Sequence, residues 1–490
     1  MAKPMGAQSI RDVGIYGVIR PAEVNDRLIP EGAVTEAINM HFDRKGAATV
    51  RFGMTNLGAS VLAGSPCFGM HNAQSGTGLV VFSNATTSAI YSFSAGAWVA
   101  SLDGGTASVR IRFLDFGSYT IALNFISNTY TSMRYWNVGS SRHWHDTGNP
   151  LNVQNMWGYS PQLGEVYKSR IYLFGDISPN GDPSRLYFSS VISSTGRITF
   201  TPTVDYVDIN PGDGEKGTAL RRFSVELLCF KPNYTYRFRT SGLDPDPLIK
   251  IGTRSNESIV EGKRGLYFHH DTGFYRYSGG YPEEISRQIS DIVNSIPYER
   301  FSMIVGWKDD DHIYWSVGNL TIKETLESVT WKNVILRYTE SSDIWTIYSA
   351  ANDIRGAMAF NNGSTIRITI GTDSGVVGVF GEENTDFGEP IKYRLRTKWY
   401  EWESILTQKV LNGLAGICEK AQDSILMYQV DEDREWKTIG QLRKFLNFFD
   451  NQKIKFHRIR FQIAGASRSE PPVFLGIETY DGINEGLIRT

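Results

Sequence analysis

Leu266-Tyr267-Phe268-His269-His270-Asp271-Thr272-Gly273-Phe274-Tyr275-Arg276-Tyr277 runs from one apolar strand through a polar turn into a second apolar strand. Ile368-Thr369-Ile370-Gly371-Thr372-Asp373-Ser374-Gly375-Val376-Val377-Gly378-Val379-Phe380 repeats the plan. In both, Asp supplies a side-chain acceptor and Gly a positive φ, which is what a tight hairpin turn requires. Looser copies follow at Leu79 to Phe93, Thr120 to Trp136, Arg170 to Phe188, Val225 to Phe238 and His312 to Tyr338. That makes about seven hairpins, starting roughly 40 to 55 residues apart, the spacing of propeller blades.

The period is too long for single strands of a sandwich and suits a four-stranded sheet. The expected fold is therefore all-β, a β-propeller of about six or seven blades, with a series of unrelated β-sandwiches as the alternative. Rings that follow the hairpins fit this plan: Trp98 after Phe93, Trp144 after Trp136, Tyr281 after Tyr277 and Trp345 after Tyr338. Each is expected to pack between blades. One helix is expected between Pro282 and Pro297, with Ile285, Ile289, Ile292, Val293 and Ile296 on its apolar face.

Beyond Glu389 the pattern changes. Lys392, Arg394, Arg396 and Lys398 share one face of an alternating strand, opposite Tyr393, Leu395, Thr397 and Trp399. Lys453, Lys455 and His457 share a face of a second such strand, and a bulge near His457 would bring Arg458 and Arg460 to the same side. These basic positions are the candidate contacts for a partner or a channel; the plainer reading is edge strands protected by charge. The domain plan is an N-terminal arm with propeller-closing strands over 1–60, a propeller body over 61–388 with an insertion near 133–161, and a C-terminal β-sandwich-like module over 389–490.

Composition narrows the function. The chain has 490 residues, 41% hydrophobic and 12% aromatic, with 48 Gly and 18 Pro, which excludes a disordered chain. A net charge of −2 argues against a protein that coats nucleic acid, though it suits a wall past which DNA slides. Cys67, Cys229 and Cys418 are too few and too scattered for a disulfide framework, so a reducing compartment is expected. No signal peptide and no membrane-spanning apolar run is legible, so synthesis in a cytoplasm without membrane insertion is expected.

Catalytic motifs are missing: no nucleophile elbow, zinc-binding His-Glu-x-x-His, Cys-x-x-Cys or complete phosphate loop is present. Gly212-Asp213-Gly214-Glu215-Lys216-Gly217-Thr218 has its Lys before the Gly and reads as a surface loop. Asp309-Asp310-Asp311-His312 reads as a solvated turn rather than a metal site, and His143 with His145 lacks a third ligand. The Asp271 and Asp373 turns are similar to the aspartate boxes of sialidases. His269 and Gly371 stand where those boxes need Ser, and the Trp is absent. No catalytic residue, cofactor or metal ligand is assigned, and the chain is expected not to be an enzyme.

Three segments resemble the tail nozzle, or packaged-DNA stabilisation, proteins of short-tailed bacteriophages. The first runs from Leu28-Ile29-Pro30-Glu31-Gly32-Ala33 through Ala37-Ile38-Asn39-Met40 and Asp43-Arg44-Lys45-Gly46-Ala47-Ala48 to Arg51-Phe52-Gly53. The second joins Phe274 to Pro282 with Ile289-Ser290-Asp291-Ile292, Gly306-Trp307-Lys308-Asp309 and His312-Ile313-Tyr314-Trp315-Ser316. The third is Phe456-His457-Arg458-Ile459-Arg460-Phe461 followed by Gly476-Ile477-Glu478. Met133 to Pro161 departs from the pattern.

The resemblance implies a virion protein assembled in the host cytoplasm. It implies a homo-hexameric ring below the portal and its head-to-tail adaptor protein, with tail spikes or fibres docked on it. Such a ring retains packaged double-stranded DNA and passes it on during ejection. A receptor- or glycan-binding tail protein and a cellular propeller scaffold are the alternatives.

Overall fold

The computed structural model describes the chain except residues 1–2, 12–13, 21–27, 44–45, 59–63, 126–132, 138–143, 146–150, 180, 194–196, 240–245, 324–327, 362–364, 403, 432 and 488–490. Successive strands pair antiparallel in fours. Blade 1 consists of Cys67–Asn72, Gly78–Ser83, Thr87–Ser94 and Ala97–Thr106. Blade 2 is Arg112–Phe116, Tyr119–Leu123, Met133–Asn137 and Trp144–His145. Blade 3 is Pro161–Tyr167, Arg170–Asp176, Arg185–Phe188 and Tyr206–Asp208. Blade 4 is Ala219–Phe223, Glu226–Phe230, Thr235–Phe238 and Asp246–Ile249.

Blade 5 is Val260–Glu261, Leu266–His270, Gly273–Tyr277 and Glu283–Glu284. Blade 6 is Val305–Lys308, His312–Lys323, Ser328–Thr339 and Ile344–Ser349. Blade 7 takes Ile354–Asn361, Ile366–Thr372 and Val377–Glu383 from late in the chain and its outer strand, Gly53–Asn56, from near the beginning. The first strand of blade 7 packs on the first strand of blade 1, so the ring closes. The fold is an all-β propeller of seven blades with a C-terminal β-sandwich module.

Burial explains the ring. The second strands of blades 1, 4 and 5 are buried along their whole length, because each face meets a different neighbour. Leu79 and Val81 point toward blade 2 and pack with Ile111, Ala122 and Trp136. Val80 and Phe82 point the other way and pack with Met358, Phe360 and Val377 of blade 7. The same arrangement recurs between later blades, up to Trp307, Tyr314, Ile335, Ile354 and Ile370 between blades 6 and 7. A lone blade could not bury both faces, so stability comes from closure of the circle.

Of the rings expected between blades, Trp345 is fully buried and stacks on Trp315 with centroids 5.7 Å apart. Trp98 is buried and its Nε1 donates to the Leu57 carbonyl at 2.8 Å. Tyr281 is exposed instead, because Gly279 and Gly280 turn the chain outward before the short fourth strand of blade 5. That strand, Glu283–Glu284, also takes residues expected to be helical, leaving a 3₁₀ turn at Arg287–Ile289 and a short helix at Ser290–Asn294. Ile289, Ile292, Val293 and Ile296 are buried as the pattern requires. Of segment 133–161, Met133–Asn137 and Trp144–His145 supply the third and fourth strands of blade 2, and Val153–Met156 forms a 3₁₀ turn.

The sandwich combines both ends of the chain. One sheet holds Val34–Ile38, Glu389–Thr397, Ile459–Ser467, Ile425–Val430 and Lys437–Gln441. The other is built on Thr407–Lys420 and Val473–Leu487, with Lys3–Pro4, Gln8–Arg11, Met40–Phe42, Ala48–Val50, Phe445–Phe449 and Ile454–Phe456 added at its sides. Tyr393, Leu395, Phe461, Leu411, Leu414 and Phe474 lie in the core cluster between them. Among the described residues, no helix is long and apolar enough to cross a membrane.

Candidate functional site

The alternation in Glu389–Thr397 puts Lys392, Arg394, Arg396 and Lys398 on one side of the strand, but they are not equivalent. Lys392 is exposed. Arg394 pairs through Nε with Glu36, and Arg396 Nη1 lies 3.3 Å from the same fully buried carboxylate. Arg396 also donates from Nη2 to Gln462 Oε1 at 3.2 Å. Lys398 Nζ donates to the Ile29 carbonyl at 2.9 Å and lies over Tyr400. Two arginines around one buried glutamate tie Glu389–Thr397 to its neighbouring strand Val34–Ile38; they bind the fold together before they can bind anything else.

The second basic stretch is two strands rather than one bulged strand. Ile454–Phe456 pairs with Thr407–Lys420 in one sheet, and Ile459–Ser467 pairs with Glu389–Thr397 in the other. The chain crosses between sheets at His457 and Arg458, whose backbone N–H groups both donate to Asp431 Oδ1, at 2.8 and 2.9 Å. Lys453 and Lys455 are exposed on the first sheet. Arg458, at the crossing, and Arg460, of the second sheet, both lie over the Trp399 ring, at 4.7 and 4.5 Å. Arg460 and Arg396 also flank Trp436, at 5.2 and 5.0 Å. The result is an alternating stack of arginines and tryptophans.

The residues weighed for metal or phosphate chemistry disperse into local contacts. Asp309 accepts from Tyr314 Oη at 2.7 Å and lies 2.7 Å from His312 Nδ1, while Asp310 pairs with Lys263 at 2.8 Å. Asp271 is held by Arg254 at 2.7 Å. Asp213 of the glycine-rich loop lies 2.6 Å from the buried Lys231 Nζ, which also bonds Ser184 and the Asn210 carbonyl. His145 lies against Tyr135, and His143 lies outside the described residues. Among the described residues no three His, Cys, Asp or Glu side chains converge as metal ligands. The three cysteines are free, buried thiols.

One charged cluster does form, at the end of the propeller bore where the first strands begin. Arg112 of blade 2 donates from Nε to Glu257 Oε1 at 2.6 Å and from Nη2 to Oε2 at 3.0 Å. Glu257 lies in the turn before blade 5, so the pair spans the bore, and Arg112 Nη1 also reaches the Gln162 carbonyl of blade 3 at 3.1 Å. Burial would raise the Glu257 pKa; Arg112 and then Arg110 overcome it and bring it to about 2. Arg110 Nη1 donates to the Arg355 carbonyl of blade 7 at 3.2 Å. Beside it, Asp353 holds both Nη atoms of Arg300, at 2.9 and 3.1 Å, and lies 2.8 Å from Arg355 Nε.

The N-terminal segment makes a second convergence. Asn39 adopts a left-handed φ of 58°, and its Nδ2 donates to the carbonyls of Ser349, at 3.0 Å, and Lys392, at 2.7 Å. Its Oδ1 accepts from Arg51 Nε at 2.8 Å and from the Ser349 N–H at 2.7 Å. One side chain thereby joins blade 6, the sandwich strand Glu389–Thr397 and the strand entering blade 7. In the sequence Asn39, Arg51 and Gly53 stand out only as parts of one stretch, with nothing to show this joint role, and Arg110, Arg112 and Glu257 belong to no motif. A buried Glu in a turn between strands carries no periodic signal.

No family model and no curated protein matches this chain. Among the solved structures it matches, the extracellular domain of a hybrid two-component system from B. thetaiotaomicron is similar at 10% identity, with a TM-score of 0.40. The likeness covers 79% of this chain and 47% of that one, so the chain spans about half of that protein's length. So loose a likeness carries no functional argument.

Proposed function

We propose that this chain is a structural component of the tail of a short-tailed bacteriophage, not an enzyme. Copies of it form a ring, a homo-hexamer below the portal and its adaptor, that retains packaged DNA and conducts it during ejection. Tail spikes or fibres dock on this ring.

The observation that carries this reading is the convergence of Asn39, Arg51 and Gly53, residues of the N-terminal stretch that resembles the nozzle proteins. They lie at the joint between sandwich and propeller, so that stretch serves the architecture of the whole chain. Two further features agree with it. The residues that resemble the family supply packing and joints, as expected of an assembly protein. Arg112 and Glu257 bridge the propeller bore, so duplex DNA in this account runs along the ring axis, between copies rather than through a propeller. The exposed Lys392, Lys453 and Lys455 are then the basic side chains that meet the adaptor or the DNA first.

Immunogold electron microscopy of purified DNA-filled particles, with antibody raised against this chain, tests the reading. Label at the single portal vertex is the expected result. Label absent from particles, or spread over the capsid, overturns it.

A further inference from the structure

We propose that Arg110 and Arg355, at the Arg112–Glu257 end of the propeller bore, bind a small free oxyanion of the phosphate type. This site is independent of the tail reading. Four guanidinium groups meet there, those of Arg110, Arg112, Arg300 and Arg355, against the carboxylates of Glu257, Asp353 and Asp373. The carboxylates are unevenly shared. Glu257 is engaged by Arg112 through both oxygens, and Asp353 by Arg300 in the same way. Asp373 Oδ1 accepts the Asp353 N–H at 3.2 Å.

Arg110 and Arg355 receive what remains. Arg110 Nε is 3.9 Å from Glu257, beyond hydrogen-bond distance, and its Nη1 donates to a neutral carbonyl. Arg355 Nε lies 2.8 Å from Asp353 Oδ2, the oxygen that Arg300 Nη1 already engages, and its Nη1 faces the Met303 thioether at 2.8 Å, a weak acceptor. The two residues adjoin, since the backbone carbonyl that Arg110 Nη1 reaches belongs to Arg355 itself. Burial lowers the Arg355 pKa, and the charges of Arg300 and Arg110 lower it further, against the opposing pull of Asp353 and Asp373. Guanidinium groups that share carboxylates already engaged by other arginines keep the capacity for charge-assisted binding of an oxyanion. The side chains are only 15% and 24% exposed, which admits a single small group and keeps out the backbone of a duplex.

Isothermal titration of the full chain with inorganic phosphate, in chloride buffer of matched ionic strength, tests the site. One saturable site per chain is expected. Arg355→Gln and Arg110→Gln should each weaken it roughly tenfold or more, the loss of one charge-assisted bond. Arg434→Gln, at an exposed sandwich arginine, should bind like the parent. A short DNA duplex should not compete. Absence of saturable heat, equal affinity in Arg110→Gln, or competition by the duplex would each overturn the proposal. If Arg355→Gln fails to fold, Arg110→Gln decides alone, since the Arg110 carboxylate contact, at 3.9 Å, is the longer of the two.

Discussion

Arg51 lies edge-on against Asp386, with Nη1 2.8 Å from Oδ1 and Nη2 2.6 Å from Oδ2. Every remaining donor of that guanidinium is placed: Nε on Asn39, Nη1 also on the Phe52 carbonyl and Nη2 on the Ser349 carbonyl, both at 3.0 Å. The cation also sits over the Tyr348 ring at 5.4 Å. Both charged side chains are almost wholly buried, 2% and 6% exposed. Removing one partner leaves the other charge buried and unpaired, which costs about 3–5 kcal/mol. Arg51→Met and Asp386→Asn should each lower the unfolding free energy from urea titration by that amount, and a loss under about 1 kcal/mol in both would contradict the role of the pair.

Gly53 begins the strand that completes blade 7. A Cβ at this position would lie 2.1 Å from the Thr385 carbonyl oxygen, so the backbone there leaves no room for one. Gly53→Ala should therefore destabilise the chain by roughly 1–3 kcal/mol. Hydrogen exchange should show the loss locally, as faster exchange in Val377–Glu383, the strand it pairs with. Unchanged protection in that strand would mean that closure does not depend on this contact.

Acid should loosen the fold from below about pH 6.5. Burial holds His41 and His269 neutral, with pKa values lowered to about 3; Arg337 reinforces this at His41, and Asp271 opposes it at His269. Because the folded pKa lies below the unfolded one, their stability is present above pH 6.5 and is lost as pH falls toward 3. Each contributes a slope of about 1.4 kcal/mol per pH unit in that window. Glu257 adds a further loss between 4.5 and about 2. Denaturant midpoints measured between pH 7.5 and 5 should fall, less steeply in His41→Gln; a flat profile would contradict the burial argument.

The basic faces should separate into two behaviours. Arg396→Glu sets a second carboxylate against the buried Glu36 and should cost several kcal/mol, seen as a large drop in melting temperature. The triple change Lys392→Glu, Lys453→Glu and Lys455→Glu touches exposed side chains and should move stability by less than about 1 kcal/mol. In particles, the triple variant should lose packaged DNA or fail to join the tail. Normal retention and infectivity would remove these lysines from the interface.

Much of the ring was legible because its hairpins repeat. The turn residues Asp271–Gly273 mark the His270 to Gly273 reversal, although Gly273 lacks the positive φ expected of it, which Gly375 does adopt at 84°, and an apolar strand on either side identifies a sheet buried on both faces. Tyr281 and the expected helix misled because a glycine pair and a two-residue strand interrupt a pattern that apolar spacing alone would continue. The strand expected through His457 misled similarly: charge alternation persists across a corner where the chain changes sheets. The axial cluster was not legible at all, since Arg110 and Arg112 at the start of blade 2, Glu257 before blade 5 and Arg355 of blade 7 meet only after closure. Charge in sequence also does not reveal burial, so Arg394 and Arg396 read like Lys392 until Glu36 is seen between them.

Copy number tests the central claim most directly. Quantitative mass spectrometry of purified DNA-filled particles should find about six copies of this chain per particle, scaled to the major capsid protein, as one closed ring requires. Absence from the particle, or a multiple of three well above six, would contradict a single ring at the tail.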